Sequence, residues 1–441
     1  MDYDWRAIRE LYQHCIAGGV IEYLQNQQTG RRVRRGIYSA SVVIWLMILQ
    51  RLHTRGTLAT AVQLLLAGGA DCLLAPCRRV RQGRISSRTG GWSRSRQKLP
   101  KLLCRQVANE LVARLRRLLN PNRARTVYLI DGSSLELEAR GELLKAYPPA
   151  SNQHGESHWP VLRIGVLHDV ETGLAEQPCW GPMYGAQAVS EQALAEQLMA
   201  AVPPGSVILG DRNFGVFSVA WAGRQCGHEV IIRLKDDRVR KLAQTPISAE
   251  GERPVTWQPS RAERRKHGFP EEAAIAGRLV AMRVGRGQSR QWLYLFTTLS
   301  DLSAEDLVKL YGRRWNIETD LRSLKRTVRL HHIAARSAAM MEKELLTAIA
   351  AYNLVRAVMA LAARRHHMQP RQLSFTFVLN VVEASWPRLS TATTAEQQAR
   401  ELEAILERAA QGTLPQRSKP RSYPRAVWHH RRDFPNRKEE K

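Results

Sequence analysis

The chain has 441 residues, and 67 Lys and Arg residues against 40 Asp and Glu residues give it a net charge of +27. This excess concentrates polyanions at the protein surface, and it excludes an acidic small-molecule enzyme or an acidic disordered protein. The length predicts about three domains, and a hydrophobic fraction of 44% is enough to form several cores.

Cysteine usage and hydropathy indicate the compartment. The six cysteines include no C-x-x-C pair, which argues against a disulfide framework or a zinc finger. The first residues lack the basic and apolar regions of a secretory signal, and the apolar run Val42–Leu49 is too short to span a bilayer. We therefore expect a cytoplasmic protein without a membrane partner.

Helical periodicity characterises the chain up to residue 122. Predicted helices cover Tyr38–Leu49 and Thr57–Leu66, and a third begins at Pro100 and ends before Asn120-Pro121-Asn122. The stretch from Arg78 to Arg105 carries ten Lys or Arg residues and no acid. It predicts either a contact surface for duplex DNA or a flexible solubilising loop.

Strands alternate with helices after this boundary, which predicts a mixed α/β sheet. The predicted strands are Thr126–Asp131, Pro160–Val170, Leu174–Met183, Ser206–Asp211 and Glu229–Leu234, and the predicted helices are Ser190–Val202 and Val216–Gly223. The helix signal lapses from Asp236 to Leu302, where Leu279–Val284 and Gln291–Thr298 predict a hairpin. Long helices are predicted from Ser303 and over Met341–Arg365, before a basic tail over Pro415–Lys441.

Two aspartates end predicted strands. Asp131 and Asp211 each follow an apolar run and precede a flexible element. Carboxylates at such strand ends can meet at one edge of an α/β sheet, where ligands and metals usually bind. Each aspartate alone could equally be a turn or helix-cap residue.

The helix predicted from Ser303 carries a stripe of chemically active side chains. On one continuous helix, the spacing places Tyr311, Arg314, Glu318 and Lys325 on one narrow face, with Arg322 at its edge. The neighbouring acid, Asp320, falls on the opposite face. The stripe is either a functional surface or a solvated set of ion pairs.

These motifs resemble those of bacterial DDE transposases of the insertion-sequence-four family. Tyr311, Arg314, Glu318 and Lys325 match the family's Tyr-x2-Arg-x3-Glu-x6-Lys signature in type and spacing. The segments around Asp131 and Asp211 resemble its first and second acidic motifs. The resemblance extends from about Thr126 to Arg365.

The resemblance implies a ribonuclease H-like catalytic core, a mixed sheet flanked by helices, with a β-rich insertion. The expected division of the chain is a helical, basic DNA-end-binding domain (1–122), the first part of the core (123–235), the insertion (236–302), the completing helices of the core (303–366) and a helical C-terminal region with a basic tail (367–441).

The resemblance also implies the site. Asp131, Asp211 and Glu318 would be the catalytic, metal-binding triad, because phosphodiester cleavage by paired divalent ions needs hard oxygen ligands. Two Mg²⁺ ions are expected, and Mn²⁺ can substitute for them. Tyr311, Arg314 and Lys325 would contact DNA phosphates, and Arg322 and Arg212 are lesser DNA-binding candidates.

Trp292 is a further DNA-binding candidate. It lies in Gln291–Thr297, which resembles the family segment whose Trp stacks on a flipped-out base, an interaction worth about 1–3 kcal/mol. The alternative is a Trp in an ordinary hairpin core.

The sequence thus predicts a transposase that binds the inverted repeats of its element, hydrolyses DNA at the 3′ ends and joins them to target DNA. A homodimer holding two DNA ends is implied by the resemblance. Two alternatives remain. A ribonuclease H-like nuclease or resolvase would lack strand transfer, although the Tyr-Arg-Glu-Lys stripe argues against it. A domesticated derivative would only bind DNA, although the three carboxylates are intact.

Overall fold

A computed structural model describes residues 36–53, 56–74, 77–120, 125–153, 155–245, 247–285, 290–331, 333–392 and 394–415. The predicted basic tail, apart from Pro415, lies outside the described residues. Residues 1–35 of the predicted N-terminal domain also lie outside them.

Helices make up the N-terminal part, as the periodicity predicts. They are α1 (Ala40–Leu52), α2 (Leu58–Leu66), α3 (Arg78–Arg81), α4 (Gly90–Lys98) and α5 (Lys101–Leu119). The basic stretch forms α3, α4 and the start of α5, so the flexible-loop alternative is wrong for most of it. It folds because Trp92 and Arg96 of α4 are buried against the core.

A mixed sheet of nine strands forms the centre of the molecule, which confirms the predicted α/β architecture. Its strands are β1 (Val127–Glu136), β2 (Pro149–Asn152), β3 (Gly155–Asp169), β4 (Cys179–Pro182), β5 (Val207–Gly210), β6 (Glu229–Arg233), β7 (Gly251–Trp257), β8 (Ile275–Val284) and β9 (Gln291–Thr297). The order is β2-β3-β1-β5-β6-β9-β8-β7, with β4 paired to β3. Strands β1, β5 and β6 are parallel neighbours, and the other pairings are antiparallel.

The segment after residue 235 extends this sheet. Strand β9 pairs antiparallel with β6, and β8 and β7 follow it outward. The segment also contains α9 (Asp236–Ala243) and α10 (Arg261–His267), so the predicted absence of helix is wrong here. Both helices are too short for a clear periodic signal, and a Ser260–Glu263 capping box starts α10.

Helices cover both faces of the sheet. The helices α6 (Gly141–Ala146), α7 (Glu191–Met199) and α8 (Phe217–Gln225) come from the first half of the core. Residues of α7 and α8 share a hydrophobic cluster with Tyr128 and Ile130. The helices α11 (Ala304–Gly312) and α12 (Trp315–Arg322) share another cluster with Leu129. Because side chains alternate along a strand, α7 and α12 lie on opposite faces.

The single long helix predicted from Ser303 is wrong. Helix α11 ends at Gly312, α12 begins after Arg314, and a π-helical turn over Ser323–Thr327 follows. A constant rotation of about 100° per residue therefore does not hold across the Tyr-Arg-Glu-Lys motif.

The long helix α13 (Ala338–Arg365) lies between the N-terminal and the C-terminal helices. It packs against α1 and α5 on one side and against α14 (Phe375–Thr391) and α15 (Ala395–Ala410) on the other. It is long and apolar enough to cross a bilayer, but its apolar window is buried inside the fold. Helix α13 is thus the buried central helix of the part of the molecule formed by α1, α5, α14 and α15.

Candidate metal and nucleic-acid site

Strand register brings the two predicted aspartates together. In the parallel pair β1–β5, Leu129 is opposite Leu209. Asp131 lies two residues further along β1, and Asp211 lies two residues after Leu209, just past the end of β5. Adjacent strands are about 4.8 Å apart, so Asp131 and Asp211 are neighbours on the face covered by α11 and α12. The expectation that Asp131 ends its strand is wrong, since β1 continues to Glu136 in its pairing with β3.

The electrostatic environment of Asp131 is unfavourable to its negative charge. Burial, with the charges of Asp211 and Glu191, raises its pKa to about 6, against the lowering effects of the Gly132 amide and Arg314. The Gly132 amide donates to Oδ1 at 2.8 Å. Neighbouring carboxylates repel one another, and a bound cation would stabilise their charged forms.

Arg314 links Glu318 to the electrostatic environment of Asp131. The Arg314 guanidinium lies 3.9 Å from Glu318 Oε1, and its charge also acts on Asp131. Glu318 is exposed, with 47% of its side-chain surface accessible, whereas the adjacent Ile317 packs in the same cluster as Leu129. The third predicted acid therefore lies on the solvent-exposed side of α12, and the charge of Arg314 acts on both Glu318 and Asp131.

The rest of the Tyr-Arg-Glu-Lys motif lies close by, except for its edge residue. Lys325 Nζ donates to Ser133 Oγ at 3.1 Å, two residues beyond Asp131 on β1. Tyr311 is buried, which raises its pKa, and the charges of Arg314 and Asp211 act on it. Arg322 is exposed, and its side chain forms no hydrogen bond or ion pair with another predicted site residue in the described part of the chain.

Asp320 points away from the site, as the sequence predicted. Its carboxylate is fully buried between Arg356 and Arg371, and both Arg371 contacts measure 2.9 Å. These contacts hold the pKa of Asp320 below its usual range despite burial. Asp320 anchors α12 to the C-terminal helices.

The sequence analysis missed Glu191, the first residue of α7. A Cβ atom on Gly132 would lie 2.7 Å from the Glu191 carboxylate, so this acid packs directly against the strand beside Asp131. Its only sequence signal is an acid in the first turn of a helix after Ser190. That signal is uninformative, because such acids commonly balance the helix dipole.

The donor set fits a hydrated divalent ion. Among the described residues, no three acidic, His or Cys side chains form a ready cluster for a metal ion. Mg²⁺ commonly binds through one or two carboxylates and takes its other ligands from water and substrate phosphates. The neighbouring Asp131 and Asp211, with crowded negative charge, provide that pair.

A basic cleft of about 770 Å³ lies beside the second aspartate. It unites two predicted residues, Arg212 and Trp292, with cations that the sequence analysis missed: Arg233, Lys235, Arg240, Arg283 and Arg290. The Trp292 ring stacks on Tyr294 at 5.8 Å, and the Arg283 guanidinium lies 4.9 Å from it. Trp292 is half-buried and outside the hydrophobic clusters, so the hairpin-core interpretation is wrong.

A second basic cleft, of about 830 Å³, lies among the N-terminal helices. Its lining includes Arg78, Arg79, Arg88, Arg94 and Lys98 and no acid. Other cations of the same stretch have structural roles: Arg96 pairs with Glu344, and Arg105 pairs with Glu342. The fold thus separates free surface charge from charge used in packing.

Comparison with known proteins gives three findings. Residues 122–354 match the family model described as transposase DDE domain. The chain is 26% identical over 265 residues to the transposase InsG for insertion sequence element IS4 from Escherichia coli (strain K12), covering 57% of this chain. The chain spans 56% of that relative's length. The piggyBac transposase synaptic complex with hairpin DNA superposes with a TM-score of 0.44 at 11% identity, over 96% of this chain and 87% of that chain.

Proposed function

The chain belongs to the DDE transposase family, and on this premise we propose that it cleaves DNA at the ends of a mobile element and joins the freed 3′ ends to target DNA. The observation that carries the proposal is the register of β1 and β5, which makes Asp131 and Asp211 neighbours beneath the helix of Glu318. The proposed triad would draw its third carboxylate, Glu318, from a distant part of the chain.

Transposases of this family use divalent metal ions. We propose that Asp131 and Asp211 hold the ions, with Glu318 as the third carboxylate once DNA draws Arg314 away. Two bound Mg²⁺ ions, or Mn²⁺, would activate the attacking hydroxyl and stabilise the leaving oxygen. The protein supplies no covalent nucleophile in this scheme. Its side chains would hold the ions and position the phosphate beside Asp131 and Asp211.

The cations around the triad would bind the DNA strand. Arg314 has the forked geometry that matches a phosphate, and Lys325 supplies a point charge next to β1. Tyr311 supports Arg314 from the buried side. We assign the cleft of Arg212 and Trp292 to the strand beside the cleavage point, where the indole face can stack on a displaced base.

DNA is accordingly the proposed partner, both as terminal inverted repeats and as target. Two copies of the chain would hold the two ends of one element. A nuclease without strand transfer and a derivative that only binds DNA are the alternatives that the experiment separates.

Substitution of the triad tests the function. Asp131→Asn, Asp211→Asn and Glu318→Gln should each reduce Mg²⁺-dependent cleavage and joining of inverted-repeat DNA by at least about 1000-fold, because each removes a negative charge that the ions need. Binding of the same DNA in a gel-shift assay should stay within about threefold, since the DNA contacts remain. The assay uses the flanking repeats of the coding region as substrate.

Glu305→Gln is the matched control, since this exposed acid lies on α11, outside the motif. Cleavage that survives in any of the three variants contradicts the triad. Cleavage without joined products in the wild type supports the nuclease alternative, and DNA binding without cleavage supports the domesticated derivative.

A further inference from the structure

Glu191 has a position that the triad does not explain. It starts α7 on one face of the sheet, whereas Glu318 approaches from the other face. Gly132 lets it come close, because any side chain at residue 132 would collide with the Glu191 carboxylate. The carboxylate therefore reaches the sheet edge beside Asp131 through a gap that only glycine leaves.

Hydrogen bonds tie Glu191 to the turn of the second aspartate. Asn213 donates its side-chain amide to Glu191 Oε2 and its backbone amide to Asp211 Oδ1, the latter at 2.8 Å. Gln192 Nε2 donates to Asn213 Oδ1 at 3.0 Å, which turns the Nδ2 group of Asn213 toward Glu191. Asn213 and Gln192 thus fix the orientation of the Glu191 carboxylate.

The charge of Glu191 is uncompensated. Within the described residues no Lys, Arg or His forms an ion pair with Glu191, whereas Glu318 has Arg314 at 3.9 Å. Its charge acts on Asp131 together with that of Asp211. Two carboxylates and one arginine thus act on Asp131, so a divalent cation at this position would relieve repulsion among the three carboxylates.

We propose that Glu191 is a further carboxylate of the divalent-ion site at Asp131 and Asp211, where it accepts hydrogen bonds from water molecules of the hydrated cation. The inference rests on the proposed function. An outer-sphere role agrees with the lack of three ready ligands among the described side chains. Mg²⁺ keeps several waters when it binds to proteins, and acceptors for these waters affect affinity strongly.

Direct Mn²⁺ binding tests the inference without using activity. The full-length protein, free of DNA, is titrated with Mn²⁺, and the free ion is followed by electron paramagnetic resonance. Glu191→Gln should raise the Mn²⁺ dissociation constant about tenfold or more. Because glutamine keeps an acceptor oxygen for Asn213, the loss would report the charge at residue 191 and not the hydrogen bond.

Three other variants make the outcome decisive. Glu196→Gln, the same change on the same helix, should leave Mn²⁺ affinity unchanged, and Glu191→Asp should recover part of it. Asp131→Asn should abolish tight binding. If Asp131→Asn loses Mn²⁺ and Glu191→Gln binds it like the wild type, the inference is wrong and the proposed site stands. If Asp131→Asn also binds Mn²⁺ normally, the proposed metal site itself fails.

Discussion

At the scale of single residues, burial separates acids that hold the structure from acids available for chemistry. Asp320 and Glu318 are two positions apart, yet Asp320 is enclosed by arginines and Glu318 is exposed. A buried carboxylate remains charged only where cations and hydrogen bonds compensate its desolvation. For Asp131 the Gly132 amide and Arg314 compensate burial only in part, so its pKa is raised to about 6, and this difference favours a role in the site.

The histidine beside Asp320 gives a prediction about pH. His168 is buried next to Tyr352 and Asp320. Burial lowers the pKa of His168 from 6.5 to about 4. The cations Arg356 and Arg371 also lower this pKa, whereas Asp320 raises it. Between these values the unfolded chain binds a proton that the folded chain does not. The free energy of unfolding should therefore fall by about 3 kcal/mol from this residue as pH drops from 6.5 to 4.

Chemical denaturation at a series of pH values measures this effect. The His168→Gln variant cannot take up the proton, so its stability should decline less steeply over the same interval. Parallel stability curves for the two proteins would contradict the assignment of a neutral buried His168.

At the scale of elements, Lys343 of α13 caps the C-terminal end of α4. Lys343 of α13 is buried, and its Nζ donates to the carbonyl oxygens of Arg96 at 2.8 Å, Gln97 at 3.0 Å and Leu99 at 2.8 Å. These carbonyls belong to the last turn of α4, which lacks further partners within the helix. The ammonium group therefore joins α4 of the basic N-terminal helices to α13.

Replacement of this lysine should be costly. Lys343→Met keeps the length of the side chain but leaves buried carbonyls without donors, so we expect a loss of about 2–4 kcal/mol in the free energy of unfolding. Amide hydrogens of α4 should also exchange faster with solvent. Lys309→Met on α11 is the control, because 76% of the Lys309 side chain is exposed, and it should change stability by less than about 0.5 kcal/mol. An equal effect of both substitutions would contradict the capping role.

The break between α11 and α12 shows where element prediction failed and why. The spacing of the motif is compatible with one helix. Between Tyr311 and Lys325 there is no Pro, and the single Gly312, at which α11 ends, is a weak signal because an isolated Gly is tolerated inside a helix. Packing imposes the interruption instead: Tyr311 of α11 and Ile317 of α12 enter the same cluster against β1 and β5. Such a tertiary contact has no local sequence signal.

At the scale of the whole molecule, two clefts of the described structure are rich in cations, one next to Asp211 and one among the N-terminal helices. Both clefts could bind the polyanion that the composition predicts. The match to the transposase DDE domain confirms the family resemblance shown by the motifs. Because binding of DNA releases counterions in proportion to the phosphates contacted, the N-terminal cleft should contribute to the salt dependence of binding.

The double variant Arg94→Gln, Lys98→Gln tests this contribution, since both side chains are exposed in the N-terminal cleft. It should reduce the slope of log K against log salt by about 2 for inverted-repeat DNA, one phosphate contact for each residue. Fluorescence anisotropy over a range of salt concentrations measures the slope. A control that replaces Arg117 and Lys309, exposed cations that pair with acids elsewhere, should leave it nearly unchanged. The same slope in all three proteins would exclude the cleft from DNA binding.

Features that depend on local pattern and residue type are predictable from the amino-acid sequence. The positive charge, the helices before residue 122, the strands that lead to Asp131 and Asp211, and the exclusion of Asp320 all follow from composition or short-range spacing. These features are predictable because propensity and periodicity act over a few residues.

The contacts among these residues, in contrast, depend on how the strands pair and the helices pack. The register of β1 with β5 places two aspartates 80 positions apart side by side, and Glu191 joins them through contacts with Gly132 and Asn213. The cleft around Trp292 collects arginines from several strands and loops. Such contacts join residues far apart along the chain, and the pairing of strands and packing of helices fix them, which no local pattern encodes.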